Sequence, residues 1–321
     1  METAPLFNDI AEGPDGGRAF WTRTDDGVRL RLGHWPGHSD KGTVLLLPGR
    51  TEYIEKYGRA ASELARRGYG TFSIDWRGQG LADRLNNDPM LGHVDDFAEY
   101  QRDVDALVSA ARELGLPNPW FLIGHSMGGC IGLRALHRGV PVQAVAFSGP
   151  MWGIAMSPVM RPVAMLMASI MDKLGKGARY APTTDGETYV LAAPFKDNQL
   201  TTDREMWDYM VRQARAHPEL TLAGPSLSWF NAALKECAAL VDMPPPATPA
   251  HSFLGGNERI VDPRPVHALM KRWPNGKLEI VPGAEHEIIM EKPQIRARFF
   301  AAADELFAAH ATNAAAPGTT A

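Results

Sequence analysis

The chain has 321 residues, of which 45% are hydrophobic and 22% are charged, and its formal net charge is −4. This length suits one α/β domain with an insertion. The small negative charge gives no electrostatic reason to expect a nucleic acid or an anionic membrane as a partner.

Two features of the chain bear on its compartment. The two cysteines, Cys130 and Cys237, are too few for a disulfide framework and favour a reducing environment. The first nine residues lack the basic start and apolar core of a signal peptide, and no apolar run is long enough to span a bilayer. We therefore expect a cytoplasmic protein.

Alternating short apolar strands and helices predict an α/β fold with a mostly parallel central sheet flanked by helices. The predicted elements follow in chain order: strands over 28–32 and 43–47, a helix over 53–67, a strand over 71–75, a helix over 96–114, strands over 120–123, 143–147 and 252–256, a helix over 263–273, a strand over 277–281 and a helix from 293. Right-handed crossovers would bring the loops after the parallel strands to one edge, where ligands bind in such sheets.

The alternation of strands and helices is interrupted once. Residues 150–247 contain no clear buried strand and are rich in Met and Trp, so we predict a helical cap insertion. The core would then comprise residues 1–149, which carry the nucleophile motif described below, and residues 248–312. The alanine-rich residues 313–321 are expected to form a disordered tail.

Met151, Trp152 and Met156 open the predicted cap. Pliable thioether side chains suit a pocket for a flexible acyl chain, so these three are candidate substrate-binding residues. Packing between the cap helices is the alternative explanation.

Residues 124–128, Gly-His-Ser-Met-Gly, stand between the predicted strand over 120–123 and a segment of small residues that predicts a helix. Strand, Gly-x-Ser-x-Gly and helix is the context of a nucleophile elbow, in which a tight turn requires the glycines. Ser126 would lie at a helix N-terminus, where backbone N–H groups can stabilise an oxyanion. We interpret Ser126 as a nucleophile, with a purely structural turn as the alternative.

A serine nucleophile needs a base, and the base needs an acid that orients it. After a nucleophile elbow the expected chain order is Ser, acid, His, which selects His286 in the loop after the last strand. Glu258, two residues beyond a strand end, is the favoured acid. Asp262 stays the alternative, although Asp before Pro263 is typical of a helix N-cap.

The oxyanion hole is predicted to use the backbone N–H groups of Met127 and of Arg50, which follows the strand over 43–47. The role of the Arg50 guanidinium is left open. The sequence contains no glycine-rich phosphate loop, no His/Cys cluster and no basic patch, so we expect no metal and no cofactor.

Four segments together resemble a known family: residues 124–129 (Gly-His-Ser-Met-Gly-Gly), 75–80 (Asp-Trp-Arg-Gly-Gln-Gly), 92–97 (Gly-His-Val-Asp-Asp-Phe) and 283–287 (Gly-Ala-Glu-His-Glu). They are similar to the monoacylglycerol lipase and lysophospholipase family of α/β hydrolases, and residues 92–97 resemble its bacterial lysophospholipase L2 branch. The resemblance implies an α/β-hydrolase fold and an esterase that cleaves lysophospholipids or monoacylglycerols through an acyl-serine.

Two departures from that family pattern concern the site. Pro48-Gly49 stands where the family usually has His-Gly, which removes a side chain that often braces the oxyanion loop. Glu258 takes the place of the family's usual Asp, and a carboxylate one methylene longer can still orient an imidazole. Glu52 and Glu55 occupy the family's Glu-rich segment, where a structural role is expected.

Other functions remain open on the sequence. A small-molecule carboxylesterase or an acyltransferase would use the same three catalytic residues, and a catalytically inactive chain would be a binding protein with the hydrolase fold. The expected partner is a small lipid ester, and transient contact with a membrane surface is one way to reach it. Nothing in the chain predicts an oligomeric state.

Overall fold

The computed structural model describes residues 1–39, 41–157, 175–182 and 184–311. The predicted tail over 313–321 lies outside the described residues. The strands are β1 (Glu2–Ala4), β2 (Arg18–Arg23), β3 (Arg29–Trp35), β4 (Thr43–Leu47), β5 (Gly70–Asp75), β6 (Trp120–His125), β7 (Val145–Ser148), β8 (Ala250–Gly255) and β9 (Gly276–Val281).

The helices of the described residues are α1 (Asn8–Ala11), α2 (Gly58–Arg66), α3 (Glu99–Glu113), α4 (Met127–His137), α5 (Tyr189–Ala192), α6 (Arg204–Ala216), α7 (Leu227–Asp242), α8 (Pro263–Arg272) and α9 (Pro293–Ala309). Short 3₁₀ turns cover Ile54–Tyr57, Pro218–Leu220 and Ile288–Met290. Among the residues that the structure describes, the helices between β7 and β8 are α5, α6 and α7.

All strands join one sheet in the order β1-β2-β3-β5-β4-β6-β7-β8-β9. The pairs from β1 to β5 are antiparallel, and β5, β4, β6, β7, β8 and β9 run parallel to one another. The mostly parallel sheet that the sequence predicted is therefore present. Strand β1 was not predicted, because three residues carry too little periodicity to be recognised.

The sheet is buried on both faces, which is why its central strands are continuously apolar. Along β4, Leu45 and Leu47 face a core that contains residues of α3, α4, α7 and α8. Val44 and Leu46 face a second core, which contains residues of α2 and α9. The sheet thus holds the ends of its parallel strands rigidly between two helical layers.

Helix boundaries follow from local capping. Helix α8 begins after Asp262, whose carboxylate accepts the N–H of Arg264 at 3.0 Å, and Pro263 occupies the first helical position. Helix α3 was predicted from residue 96 but begins at Glu99, because the Asp96 carboxylate accepts the N–H of Ala98 and so forms a capped turn first.

A buried ion pair fixes β3 against β5 and the turn over Ile54–Tyr57. The fully buried Arg31 donates from Nε to Asp75 Oδ2 at 2.7 Å, and from Nη1 and Nη2 to the Glu55 carboxylate at 2.8 and 2.7 Å. Asp75 also accepts the backbone N–H groups of Ile54 and Leu81, each at 2.8 Å. Removing the guanidinium would therefore leave two carboxylates buried without their cation.

We predict that Arg31→Met lowers the free energy of unfolding by about 3–5 kcal/mol, because it leaves buried charge uncompensated. Arg29→Met is the matched control, since Arg29 and its partner Asp83 are 43% and 40% exposed and such pairs contribute about 0–1 kcal/mol. Thermal and urea unfolding measure both changes. Equal losses in the two variants would contradict this account of the core.

Candidate active site

Ser126 lies in a strained turn between β6 and α4. Its backbone angles are φ 49° and ψ −117°, a conformation that non-glycine residues rarely adopt. A Cβ at position 128 would lie 2.0 Å from the Leu47 carbonyl oxygen, and one at 124 would lie 3.0 Å from the Gly128 oxygen. Only glycine at 128 allows α4 to approach β4 this closely, so the turn has the geometry of a nucleophile elbow.

The parallel strands bring the loops after β6, β7, β8 and β9 to one edge of the sheet. His125 pairs in register with Ser148, Ser148 with Phe253, and Gly255 with Val281. Residues just beyond these strand ends are therefore neighbours in space, although they are far apart in the sequence. This edge carries Ser126 after β6, Glu258 after β8 and His286 after β9.

Glu258 and His286 form a buried pair at this edge. His286 Nδ1 lies 2.8 Å from Glu258 Oε2, and Glu258 Oε1 accepts the N–H groups of Ile260 and Val261 at 2.8 and 3.1 Å. Burial tends to raise the pKa of Glu258, but the neighbouring His286 and these hydrogen bonds hold that pKa below its ordinary value. An ionised carboxylate only accepts, so Nδ1 carries the proton and Nε2 remains free to act as a base.

The carboxylate of Asp262, the alternative acid, caps the N-terminus of α8. Its carboxylate accepts the backbone N–H of Arg264 and binds that residue's guanidinium at 2.7 Å, as the N-cap of α8. The structure therefore brings Glu258, and not Asp262, to the imidazole of His286.

Ser126 and His286 line the same cavity, together with Arg50. Most of the wall area is apolar, and much of it comes from residues 188–221, between β7 and β8. The apolar lining residues are Tyr53, Tyr189, Val190, Leu200, Met210, Ala214 and Ile260. The arrangement presents a serine hydroxyl and an oriented imidazole to a largely hydrophobic ligand.

The three predicted substrate-binding residues lie outside the described cavity lining. Met151 and Trp152 are 5% and 0% exposed and belong to the hydrophobic core rather than to the cavity wall. The Trp152 ring stacks on Trp273 at 6.0 Å, and its Nε1 donates to the Gly129 carbonyl. Met156 is half-buried and also lies outside the cavity lining. The neighbouring residues 158–174 are outside the described part of the chain.

Met210 and Ala214 line the cavity in their place, and sequence reasoning did not select them. The signal was present, because Met206, Met210 and Ala214 are spaced i, i+4 and i+8 along one face of α6. That spacing marks a buried face but does not distinguish a core from a cavity wall.

The loop carrying Arg50 is braced from the segment after β5. Trp76 Nε1 donates to the Pro48 carbonyl at 2.9 Å, and Gln79 Nε2 donates to the Gly49 carbonyl at 3.1 Å. Gln79 Oε1 in turn accepts the N–H of Thr51 at 3.2 Å. These contacts hold the loop although a Pro stands where the family's usual His would be.

The Arg50 side chain contacts residues of the insertion between β7 and β8. Its Nη1 donates to the Ala223 carbonyl at 2.7 Å, and its guanidinium lies 5.6 Å from the centre of the Trp229 ring. Burial lowers the pKa of Arg50 to about 10, so the group is cationic at neutral pH. The guanidinium thus links the loop after β4 to the segment before α7.

Four buried ionisable side chains form part of the cavity wall, and we call these residues, Glu52, Lys56, His125 and Glu287, the charge cluster. Lys56 Nζ lies 2.6 Å from Glu52 Oε1 and 2.6 Å from Glu287 Oε1. His125 Nε2 lies 3.2 Å from Glu287 Oε2 and 3.6 Å from Glu52 Oε1. Sequence reasoning predicted a structural role for Glu52, but it did not predict that these four side chains meet.

Glu52, His125 and Glu287 offer ligand atoms within 4.8 Å of one another, the spacing of a metal site. The Lys56 ammonium already binds both carboxylates. A metal ion there would meet that ammonium at close range, so the donor set fits a protein cation better than a metal ion.

Comparison with known proteins bears on the whole chain. The family model described as Serine aminopeptidase, S33 matches residues 38–293. The chain is 30% identical to lysophospholipase L2 of Escherichia coli over 312 residues, covering 91% of this chain and 89% of the relative. It is 28% identical to a probable lysophospholipase L2 of Haemophilus influenzae, covering 81% and 82%.

Solved structures agree on the fold. A soluble variant of monoglyceride lipase from Saccharomyces cerevisiae, in complex with a substrate analogue, aligns with a TM-score of 0.71 at 21% identity, covering 92% of this chain and 96% of that one. Among the described residues, no helix is both long and apolar enough to cross a bilayer. The predicted resemblance and fold class are confirmed: the chain belongs to the Serine aminopeptidase, S33 family and is a serine hydrolase with the α/β-hydrolase fold.

Proposed function

We propose that the enzyme hydrolyses the ester bond of a single-chain lipid, a lysophospholipid or a monoacylglycerol, with Ser126 as the nucleophile. The observation that carries this proposal is that Ser126 and the Glu258-bound His286 open onto one largely apolar cavity. The names of the relatives, lysophospholipase L2 and monoglyceride lipase, support the same substrate class.

The proposed reaction uses the residues of this edge in turn. Ser126 Oγ attacks the ester carbonyl while His286 Nε2 takes its proton, and the Glu258 carboxylate stabilises the imidazolium that forms. The N–H groups of Met127 and Arg50 hold the oxyanion, and each such donor contributes about 3–4 kcal/mol. His286 then protonates the departing alcohol and activates a water molecule, which releases the fatty acid from Ser126.

Residues 150–247 act in this proposal as a cap over the cavity. Their contribution to the wall includes Val190, Leu200, Met210 and Ala214, which would contact the acyl chain. Tyr189 and Leu191 on α5 are 40% and 38% exposed, and Tyr189 also lines the cavity. We place transient contact with a lipid surface at this helix.

The two free buried cysteines, Cys130 and Cys237, support a cytoplasmic location for the enzyme.

The family description also names an aminopeptidase, and the cavity argues against that activity. An aminopeptidase must hold the terminal ammonium of its substrate, for which an unengaged carboxylate is the natural partner. The carboxylates on the described cavity wall are Glu52 and Glu287, and Lys56 binds both of them. A small-molecule esterase or an acyltransferase would use the same catalytic residues, and chain-length preference separates these functions from a lipase.

Ser126→Ala is expected to abolish covalent labelling by a fluorophosphonate probe, because the probe reacts with the activated hydroxyl alone. Ser62→Ala, on the half-buried face of α2, is the control and should label like the wild type. Gel fluorescence and intact mass measure the adduct. Labelling that persists in Ser126→Ala would refute the assignment.

Glu258→Gln is expected to lower kcat by roughly 10³- to 10⁴-fold, because an amide no longer holds the productive tautomer of His286. Asp262→Asn is the matched control, since Asn caps a helix as well as Asp and should cost about 1 kcal/mol of stability or less. Ester hydrolysis and thermal unfolding of both variants test this. The reverse ranking of the two activities would make Asp262 the acid.

For p-nitrophenyl esters, kcat/KM is expected to rise from butyrate to palmitate, because a longer chain buries more of the apolar wall. Ala214→Phe should narrow the cavity and lower the palmitate-to-butyrate ratio, whereas Ala216→Phe, exposed on the same helix, should not. Lysophosphatidylcholine, lysophosphatidylethanolamine and monoolein, assayed side by side, identify the head group. A short-chain optimum in the wild type would favour the small-molecule esterase.

A further inference from the structure

The charge cluster connects the three chain segments that carry the proposed catalytic groups. Glu52 accepts the N–H of Gly49, which directly precedes Arg50, and it also binds the hydroxyl of Tyr57. His125 directly precedes Ser126, and Glu287 directly follows His286. The four residues of the charge cluster are each at most 6% exposed. Their mutual contacts therefore fix the oxyanion loop, the nucleophile turn and the base loop relative to one another.

The contacts of His125 determine which of its nitrogens carry protons. Nδ1 lies 2.9 Å from the Ser148 carbonyl oxygen, which only accepts, so Nδ1 is protonated. The Ser148 hydroxyl, 3.1 Å from Nδ1, can rotate to suit that proton. Nε2 faces the Glu287 and Glu52 carboxylate oxygens at 3.2 and 3.6 Å. Two anions at these distances favour a positively charged ring, so Nε2 carries a proton as well.

Charge balance in the buried region supports the same conclusion. Glu52 and Glu287 contribute two negative charges, and Lys56 contributes one positive charge. A neutral His125 would leave one net negative charge out of water, which is costly. An imidazolium at His125 makes the cluster neutral.

We infer that His125 is a positioning residue held as an imidazolium, and that its proton keeps Ser126, His286 and the oxyanion loop in their reactive arrangement. The inference rests on the proposed function for its effect on catalysis, but the protonation state of His125 does not depend on it. His125 acts through its neighbours and does not touch the reacting atoms.

The sign of the pH dependence follows from the contacts. Burial alone would lower the pKa of His125, but Glu287 and Glu52 outweigh burial and the nearby Lys56 and raise that pKa above its ordinary value. The titratable ring of His286, centred 5.0 Å away, also faces it. The imidazolium contributes fully below the ordinary pKa of histidine and is lost as the pH rises through the raised pKa. Activity should then fall on the alkaline side.

The first test is direct and needs no substrate. Histidine side chains of the full-length protein are labelled with ¹⁵N and ¹³C, and the His125 signals are assigned by comparison with His125→Gln. We expect both ring nitrogens of His125 to remain protonated above pH 6.5, the ordinary pKa of the side chain. A His125 that titrates at or below that pH would overturn the inference, whatever the enzyme hydrolyses.

The second test removes the charge of His125 and then restores the neutrality of the cluster with a second substitution. His125→Gln leaves the cluster with an excess negative charge and should lower kcat about 10²-fold, the scale of a small misplacement of catalytic groups, with little change in KM. His125→Gln combined with Glu287→Gln restores neutrality, since Glu52 and Lys56 then balance. We expect the double variant to regain most of the lost kcat and to show no alkaline fall from this group.

A double variant no more active than His125→Gln, or an alkaline limb unchanged in both, would contradict the positioning role. Circular dichroism and thermal unfolding of each variant show whether an inactive protein is folded. Fluorophosphonate labelling of the wild type separates the two claims, because its failure would remove the proposed function and leave the protonation of His125 to the NMR titration.

Discussion

The close approach of α4 to the end of β4 is the constraint on which the rest of the site depends. Glycine at position 128 permits this approach, because a side chain there would collide with the Leu47 carbonyl. The chain turns sharply just before it, and Ser126 adopts a positive φ. Such strain persists only where the surrounding structure over-determines it. Here the N–H of Ser126 donates to Ser148 on the neighbouring strand, and α4 begins at the next residue.

Parallel strands supply the remaining groups at fixed positions. The loops after β8 and β9 carry Glu258 and His286, and the hydrogen bond between these side chains spans two strands that pair in register. Catalytic groups at the ends of rigid strands are placed more precisely than groups on free loops. Strand β4 does not pair with β9 in the sheet. The charge cluster instead fixes the loop after β4 against the loop that carries His286, through the ion pair of Lys56 with Glu287.

Local patterns in the sequence predicted what depends on local geometry. The apolar run before Ser126, the glycines around it and the position of His286 after the last strand all reflect the requirements of one turn or one strand. The predicted strands of the parallel sheet are present for the same reason. Asp262 was expected to cap a helix because the Asp-Pro pair is itself local, and it does so.

Features that depend on which distant segments meet were not predictable from those patterns. Met151 and Trp152 were expected in the cavity and lie in the core, whereas Met210 lines the cavity; hydrophobicity alone does not distinguish the two environments. The charge cluster joins residues 52, 125 and 287, and no spacing along the chain signals their contact. Their protonation follows from three-dimensional neighbours alone.

A crystal structure of the enzyme after reaction with a long-chain alkyl phosphonate tests the central claim most directly. The account predicts phosphorus bonded to Ser126 Oγ, the phosphoryl oxygen within hydrogen-bonding distance of the Met127 and Arg50 N–H groups, and His286 Nε2 close to Oγ. The alkyl chain should lie along Met210 and Ala214. Phosphorus on another residue, or an imidazole of His286 out of reach of Ser126, would contradict the account.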